Sequence, residues 1–197
     1  MDFELKLLKT RNILDESAQI KRKLASSELL VEKIVKASDL IIEAYRVGGK
    51  VLVFGNGGSA ADAQHMVCEL IGRFKMDRIS LAAIALTTDT SILTAVSNDY
   101  GFEKIFSRQV EALVNDGDVI VAISTSGRSK NVLDAVKIAK KKHAKVIGLT
   151  GESGEELNGL ADVTINIPSD STPRIQESHI TVIHIICELV EQGLFEK

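Results

Sequence analysis

From residue 50 onward, short apolar runs alternate with segments of helical period, and this alternation most limits the folds open to the chain. "KVLVFG" (50–55) precedes a helical pattern over Ser59–Ile71, and "SLAAIAL" (80–86) precedes helical segments from about 90 to 114. "DVIVAIS" (118–124) leads into a helix from Ser129 to Lys142, "KVIGLT" (145–150) into a short helix, and "DVTINIP" (162–168) into a long last helix, Pro173–Glu191. Near-continuous apolar runs imply strands buried on both faces, and intervening helices supply the crossovers that parallel strands need. The predicted fold is α/β: a doubly wound, three-layer α/β/α sandwich around a five-stranded parallel sheet.

Two amphipathic helices, 1–22 and 27–47, precede this repeat. Leu29, Leu30, Ile34, Val35, Leu40, Ile41 and Ile42 give the second a wide apolar stripe, and Gly48-Gly49 stops it. Residues 1–48 are therefore expected to form an N-terminal helical segment ahead of one compact domain, 49–197. So small a sheet domain offers this stripe no obvious cover, and pairing with another subunit is the economical solution.

The 197 residues suffice for a substantial core; with 45% hydrophobic but only 4% aromatic residues, it must be built mostly of Ala, Val, Ile and Leu. A net charge of −3 does not suggest a nucleic-acid surface, and "KIAKKKHAK" (137–145) reads as the solvated face of a helix. Cys68 and Cys187 lie in apolar helical contexts without a CxxC partner, so no disulfide framework is expected and a cytoplasmic setting fits. The first twenty residues lack the apolar core of a signal peptide. No run is long enough to suggest a membrane span.

In open parallel sheets, ligands bind beyond the carboxyl ends of the strands. Three segments there are unusually polar: "GNGGS" (55–59), "TTDTS" (87–91) and "STSGRS" (124–129). Glycines admit a ligand close to backbone N–H groups, and helix N-termini add unpaired donors and a positive dipole end. Ser124, Thr125, Ser126 and Ser129 add hydroxyls, and the combination suits a phosphate monoester. The plainer alternative is that such loops simply need small residues, with Ser129 as a helix cap. "GNGGSA" also satisfies the permissive dinucleotide pattern, but Asp89, the nearest acidic candidate for the ribose, comes 34 residues after Gly55 rather than about 20. The Walker pattern is absent.

His65 and Glu69 stand four residues apart on the helix that follows the glycine loop, so they share a face, joined by Asp62. Imidazole plus carboxylate is half of a zinc site, and equally an ordinary surface contact. Cys68 is a rival ligand for which a buried packing role is the simpler expectation. The last helix carries Gln176, His179 and His184 among many isoleucines. Spacing does not choose between the two histidines. Gln176 and His184 are about 12 Å apart along a helix axis, so they share an ion only if it lies between them.

"GNGGSAADAQHMVCELIGRF", "ALTTDTSILTAVSNDYGFE", "SRQVEAL", "AISTSGRSKNVLDA" and "TPRIQESHITVIH", in that order, resemble the bacterial phosphoheptose (sedoheptulose 7-phosphate) isomerases of the sugar isomerase, or SIS, fold group. The resemblance runs from about residue 30 to 190. It implies a flavodoxin-like SIS fold and a homotetramer with active sites between subunits. Asn56, Gly57, Gly58 and Ser59 would line the sugar phosphate, Ser124, Thr125, Ser126 and Ser129 would grip the phosphate, and Asn98 and Asp99 would contact substrate. One zinc ion per subunit would be held by His65, Glu69, Gln176 and His184, which selects His184 over His179. Glu69 and His184 match the family's base and acid. Met66, Val67 and Cys68 replace the usual Phe-Ala-Ala, and Arg128 stands where Asn or Lys is usual.

The same resemblance includes non-catalytic SIS proteins that bind phosphosugars or associate with a replication initiator. Those lack the carboxylate matching Glu69 and carry Asn at the position of His184, whereas this chain has both groups. A sugar-sensing regulator would need a DNA-binding module, and none is evident. The implied reaction is an aldose–ketose isomerisation through an enediol(ate), the first step toward nucleotide-activated heptose for glycans such as lipopolysaccharide.

Overall fold

The structure is a computed structural model and describes residues 1–196. Helices α1 (Phe3–Ser26) and α2 (Glu28–Arg46) meet at Ser27, which ends one and caps the next by accepting the Leu30 N–H. The repeat then runs β1 (Val51–Gly55), α3 (Gly58–Ile71), β2 (Ala83–Ala85) and α4 (Thr90–Tyr100), followed by a 3-10 turn at Phe102–Lys104 and α5 (Ser107–Leu113). It continues with β3 (Val119–Ile123), α6 (Lys130–Lys141), β4 (Lys145–Gly151), α7 (Glu155–Asn158), β5 (Val163–Ile167) and α8 (Thr172–Phe195). All strand pairs are parallel, in the order β2-β1-β3-β4-β5, the flavodoxin-like winding.

Alternate strand residues feed two separate cores. Val51, Val53, Val119, Val121, Ile147 and Leu149 pack with α2, α3 and α8 on one face. Leu52, Phe54, Ile120, Ala122 and Val146 pack with α5 and α6 on the other. This two-sided burial is why the strands read as unbroken apolar runs.

The predicted strand 80–86 is a correction: only Ala83–Ala85 pair, on the sheet edge. Leu81 gives its N–H to the Leu70 carbonyl at the end of α3, which draws the chain away from β1. The α2 stripe is partly covered within the chain. Ile34, Ile41 and Ile42 are buried in the first core, while Leu29, Val31 and Val35 stay exposed, as do Phe3, Leu5, Leu8, Ile13 and Leu14 of α1.

Candidate active site

The winding reverses between β1 and β3, because the chain leaves β1 for one sheet edge and β3 for the other. Paired as far as Gly55 and Ile123, these strands end side by side and open a crevice between their loops. A cleft of about 250 Å3 sits there, lined by Asn56, Gly57, Gly58, Ser59, Ile123, Ser124, Thr125, Ser129, Thr172 and Gln176. None of these side chains is charged.

Three helices, α3, α6 and α8, begin at this cleft, and none has a side-chain cap. By contrast α1, α2 and α4, which begin elsewhere, are capped by Asp2, Ser27 and Asp89. Ser129 occupies the cap position of α6, but its hydroxyl accepts from Ser124 at 3.1 Å instead of capping. The N–H groups of Ser59, Ala60 and Val132 already bond to nearby oxygens, but the dipole ends and the very first N–H groups of these helices carry no cap from the preceding side chain, which favours the phosphate reading over the simple-turn reading.

Two glycines shape the entrance. Gly57 takes a left-handed φ of 58°, which other residues resist. A Cβ on Gly58 would collide with the Gln176 amide, so glycine there lets α8 close over the loop. Asn56 and Asn131 exchange amide hydrogen bonds of 2.9 and 2.8 Å and tie the β1 loop to α6. Sequence reasoning missed Asn131, which looks like any polar residue in a first helical turn.

Further along α3 and α8, the Nε2 atoms of His65 and His184 lie 3.0 Å apart, and Glu69 Oε1 lies 3.1 Å from His65 Nε2. These three ligand-type atoms all fall within 4.8 Å of one another. Zinc–ligand bonds of about 2.0–2.1 Å at tetrahedral angles separate ligand atoms by roughly 3.3 Å, so this donor set fits the ion that the resemblance implies. Gln176 sits apart, its amide against Gly58. His179 is a core residue with no exposure, its Nε2 3.2 Å from the Thr150 carbonyl and its basicity pushed down to about 4 by burial.

Other expectations fare differently. Cys68 is exposed, not buried, because Ala63, Met66 and Leu70 form the buried stripe of α3 and position 68 falls off it. Asp62 does not join the cluster; burial raises its carboxyl to about 6, against the opposing effect of His65. Asp89 of "TTDTS" caps α4, and Thr87 hydrogen-bonds the α3 carbonyl of Ala60, so that segment has a structural use. Asn98 and Asp99 are exposed on α4, bonded to each other, and do not line the cleft. The Ser126 hydroxyl accepts the Arg128 N–H, while Arg128 itself is exposed.

A neutral cleft at three helix N-termini, with an imidazole–carboxylate cluster farther down two of the same helices, gives an α/β domain whose cleft suits an anionic group and whose cluster suits a metal ion. The chain belongs to the SIS domain family, whose model matches residues 14–151. It is 59% identical to a phosphoheptose isomerase of Geotalea daltonii over 84% of this chain and 86% of that one. It is 52% identical to the phosphoheptose isomerase of Campylobacter jejuni over 92% of this chain and 98% of that one. Among solved structures, a phosphoheptose isomerase from Francisella tularensis superposes with a TM-score of 0.91 at 41% identity, covering 95% of this chain and 98% of that one.

Proposed function

We propose that the chain is a phosphoheptose isomerase that interconverts sedoheptulose 7-phosphate and D-glycero-D-manno-heptose 7-phosphate. Relatives of that name at 52–59% identity, covering 84–92% of this chain and 86–98% of their own, support the activity. The observation that carries the site is the placement of the cluster relative to the cleft. His65 lies seven residues beyond Gly58, about 10 Å along α3 at 1.5 Å per residue. An extended carbon chain advances about 1.2 Å per bond, a third of the ~3.6 Å per residue of extended backbone. A seven-carbon sugar with its phosphate in the cleft therefore brings its carbonyl end to Glu69 and His184.

The neutral cleft binds the phosphate through Ser124, Thr125, Ser129 and free backbone N–H groups, and so fixes carbons that do not react. Glu69 takes a proton from C1. The C–H electron pair forms the C1–C2 double bond, and the C2 oxygen gains a proton. His184 moves protons between the two oxygens, and Glu69 returns its proton to C2, which leaves an aldehyde at C1. Oε1 of Glu69 faces His65, which leaves its second oxygen for the C–H. His65, Glu69 and His184 would hold zinc, which when bound polarises the sugar's carbonyl and hydroxyl oxygens; Gln176, the fourth ligand that the resemblance implies, would have to leave its place against Gly58 to join them.

The functional unit in this reading is a cytoplasmic homotetramer with active sites between subunits, feeding heptose into cell-surface glycans such as lipopolysaccharide. The exposed apolar residues of α1 and α2 support the assembly, as do Asn98 and Asp99, which are exposed and do not line this cleft. Among the described residues no helix is long and apolar enough to cross a membrane. Incubation with sedoheptulose 7-phosphate, followed by NMR with and without chelator, tests the activity. The aldose phosphate should appear, and its absence with metal-replete protein overturns the proposal.

A further inference from the structure

Beyond the reacting groups lies a buried ion pair that the chemistry does not use. Arg78 Nε donates to Glu191 Oε1 at 2.9 Å, and the two side chains are 3% and 2% exposed. Glu191, on α8, also accepts the backbone N–H groups of Phe74 (3.0 Å), Lys75 (2.8 Å) and Met76 (3.2 Å). Arg78 in turn donates to the carbonyls of Glu69 (2.8 Å), Leu70 (2.7 Å), Gly72 (3.0 Å) and Ile79 (3.2 Å). The end of α3, whose last carbonyls lack helical partners, is thus capped by a guanidinium anchored to α8.

These two helices carry Glu69 and His184. The loop wrapped on Glu191 also presents Phe74, whose ring lies 5.5 Å from the His184 imidazole at an angle of 34°. A buried ion pair is by itself weak evidence of a gain in stability. What this pair specifies is geometry: the spacing of α3 from α8, and a fixed wall behind His184. The solvent-exposed contact of Lys75 with Glu188 adds a second, weaker tie on the same face.

We infer that Arg78 and Glu191 are positioning residues for the isomerase site, acting through Phe74 to hold the His184 imidazole and through the Glu69 carbonyl to hold the end of α3. The inference rests on the proposed roles of Glu69 and His184. Its distinguishing consequence is a fault in turnover with intact phosphate binding, because the cleft lies at the opposite end of α3.

The test uses the full chain with histidine-labelled protein and the sedoheptulose 7-phosphate assay. Phe74→Leu keeps apolar bulk without the ring, and Phe74→Tyr keeps the ring. Phe74→Leu should lower kcat by about 10–100-fold, the scale of a misplaced reacting group, with KM within about twofold. Phe74→Tyr should recover most of that loss. Equal defects in the two variants, or wild-type kcat in Phe74→Leu, overturn the inference.

Arg78→Lys supplies a readout independent of activity. The His184 ring signal carries the ring-current shift of Phe74, so releasing the clamp should move or broaden it and leave His143 unchanged. An unchanged His184 signal in folded Arg78→Lys overturns the inference. If Arg78→Lys does not fold, Glu191→Gln, which loses the charge but keeps an oxygen for the loop N–H groups, gives the same His184 readout with the same overturning result. If wild type proves inactive on the sugar phosphate, the functional reading fails, and the His184 signal still decides whether the clamp positions that ring.

Discussion

Nε2 of His65 and Nε2 of His184 face each other at 3.0 Å across 119 residues of chain. Two neutral imidazoles share at most one proton at that contact, and two charged ones repel. With Glu69 Oε1 alongside, both lone pairs are better used on one cation. His65→Ala should therefore lower bound zinc and activity together, activity by at least the about 10–100-fold seen when even the outer partners of metal ligands are lost. His143→Ala, at an exposed position after α6, should change neither. Metal analysis beside the rate assay checks this, and equal zinc in wild type and His65→Ala would count against the ligand set.

Ser129→Ala separates phosphate binding from helix capping. Because the hydroxyl does not cap α6, the unfolding midpoint should hardly move. A lost hydrogen bond to a charged group is worth about 1.5–3 kcal/mol, so kcat/KM should fall roughly 10- to 150-fold, mainly through KM. Unchanged kinetics would reduce residues 124–129 to a turn.

Glu69→Gln retains size and one ligating oxygen but removes the base. Turnover should fall by about 10²–10⁴-fold, with solvent exchange at C1 and C2 falling in parallel. Phosphate binding should persist, since the cleft is untouched. Metal-replete Glu69→Gln turning over at the wild-type rate would refute the assignment.

His179 gives the fold a pH dependence of definite sign. Burial holds its folded pKa at about 4, below the ordinary 6.5, so the unfolded chain binds the proton first on acidification. Its contribution is complete above about pH 6.5, declines as pH falls toward about 4, and is level below that, for a loss of up to about 3 kcal/mol. His179→Gln keeps a donor for the Thr150 carbonyl and should flatten that part of the profile. Denaturant titrations at several pH values measure this, and an identical slope in the variant would show that other groups carry it.

The sheet was legible because each strand is buried on both faces and each crossover helix has its own period. The exception, 80–86, is an edge whose pairing depends on where α3 ends, which no local pattern encodes. In the candidate site, "GNGGS" and "STSGRS" announced themselves through glycines and hydroxyls, and His65–Glu69 through helical spacing. Spacing leaves His184 and His179 open and only the resemblance selects His184; the structure supplies the physical difference, one imidazole turning into the core toward Thr150 and the other outward to His65. Asn131, Arg78 and Glu191 stayed hidden because their meaning lies in partners 75 and 113 residues away.

The absence of any charged side chain from the lining of the proposed phosphate cleft has a consequence for how the protein would sense its surroundings. Fixed dipoles neither titrate nor exchange counterions. Across the physiological range, the acidity that matters for capture is the ligand's own: a phosphate monoester gains its second charge near about pH 6. In the proposed reading the grip follows the ionisation of the sugar phosphate in solution, and none of the side chains lining this cleft adds an acid limb of its own.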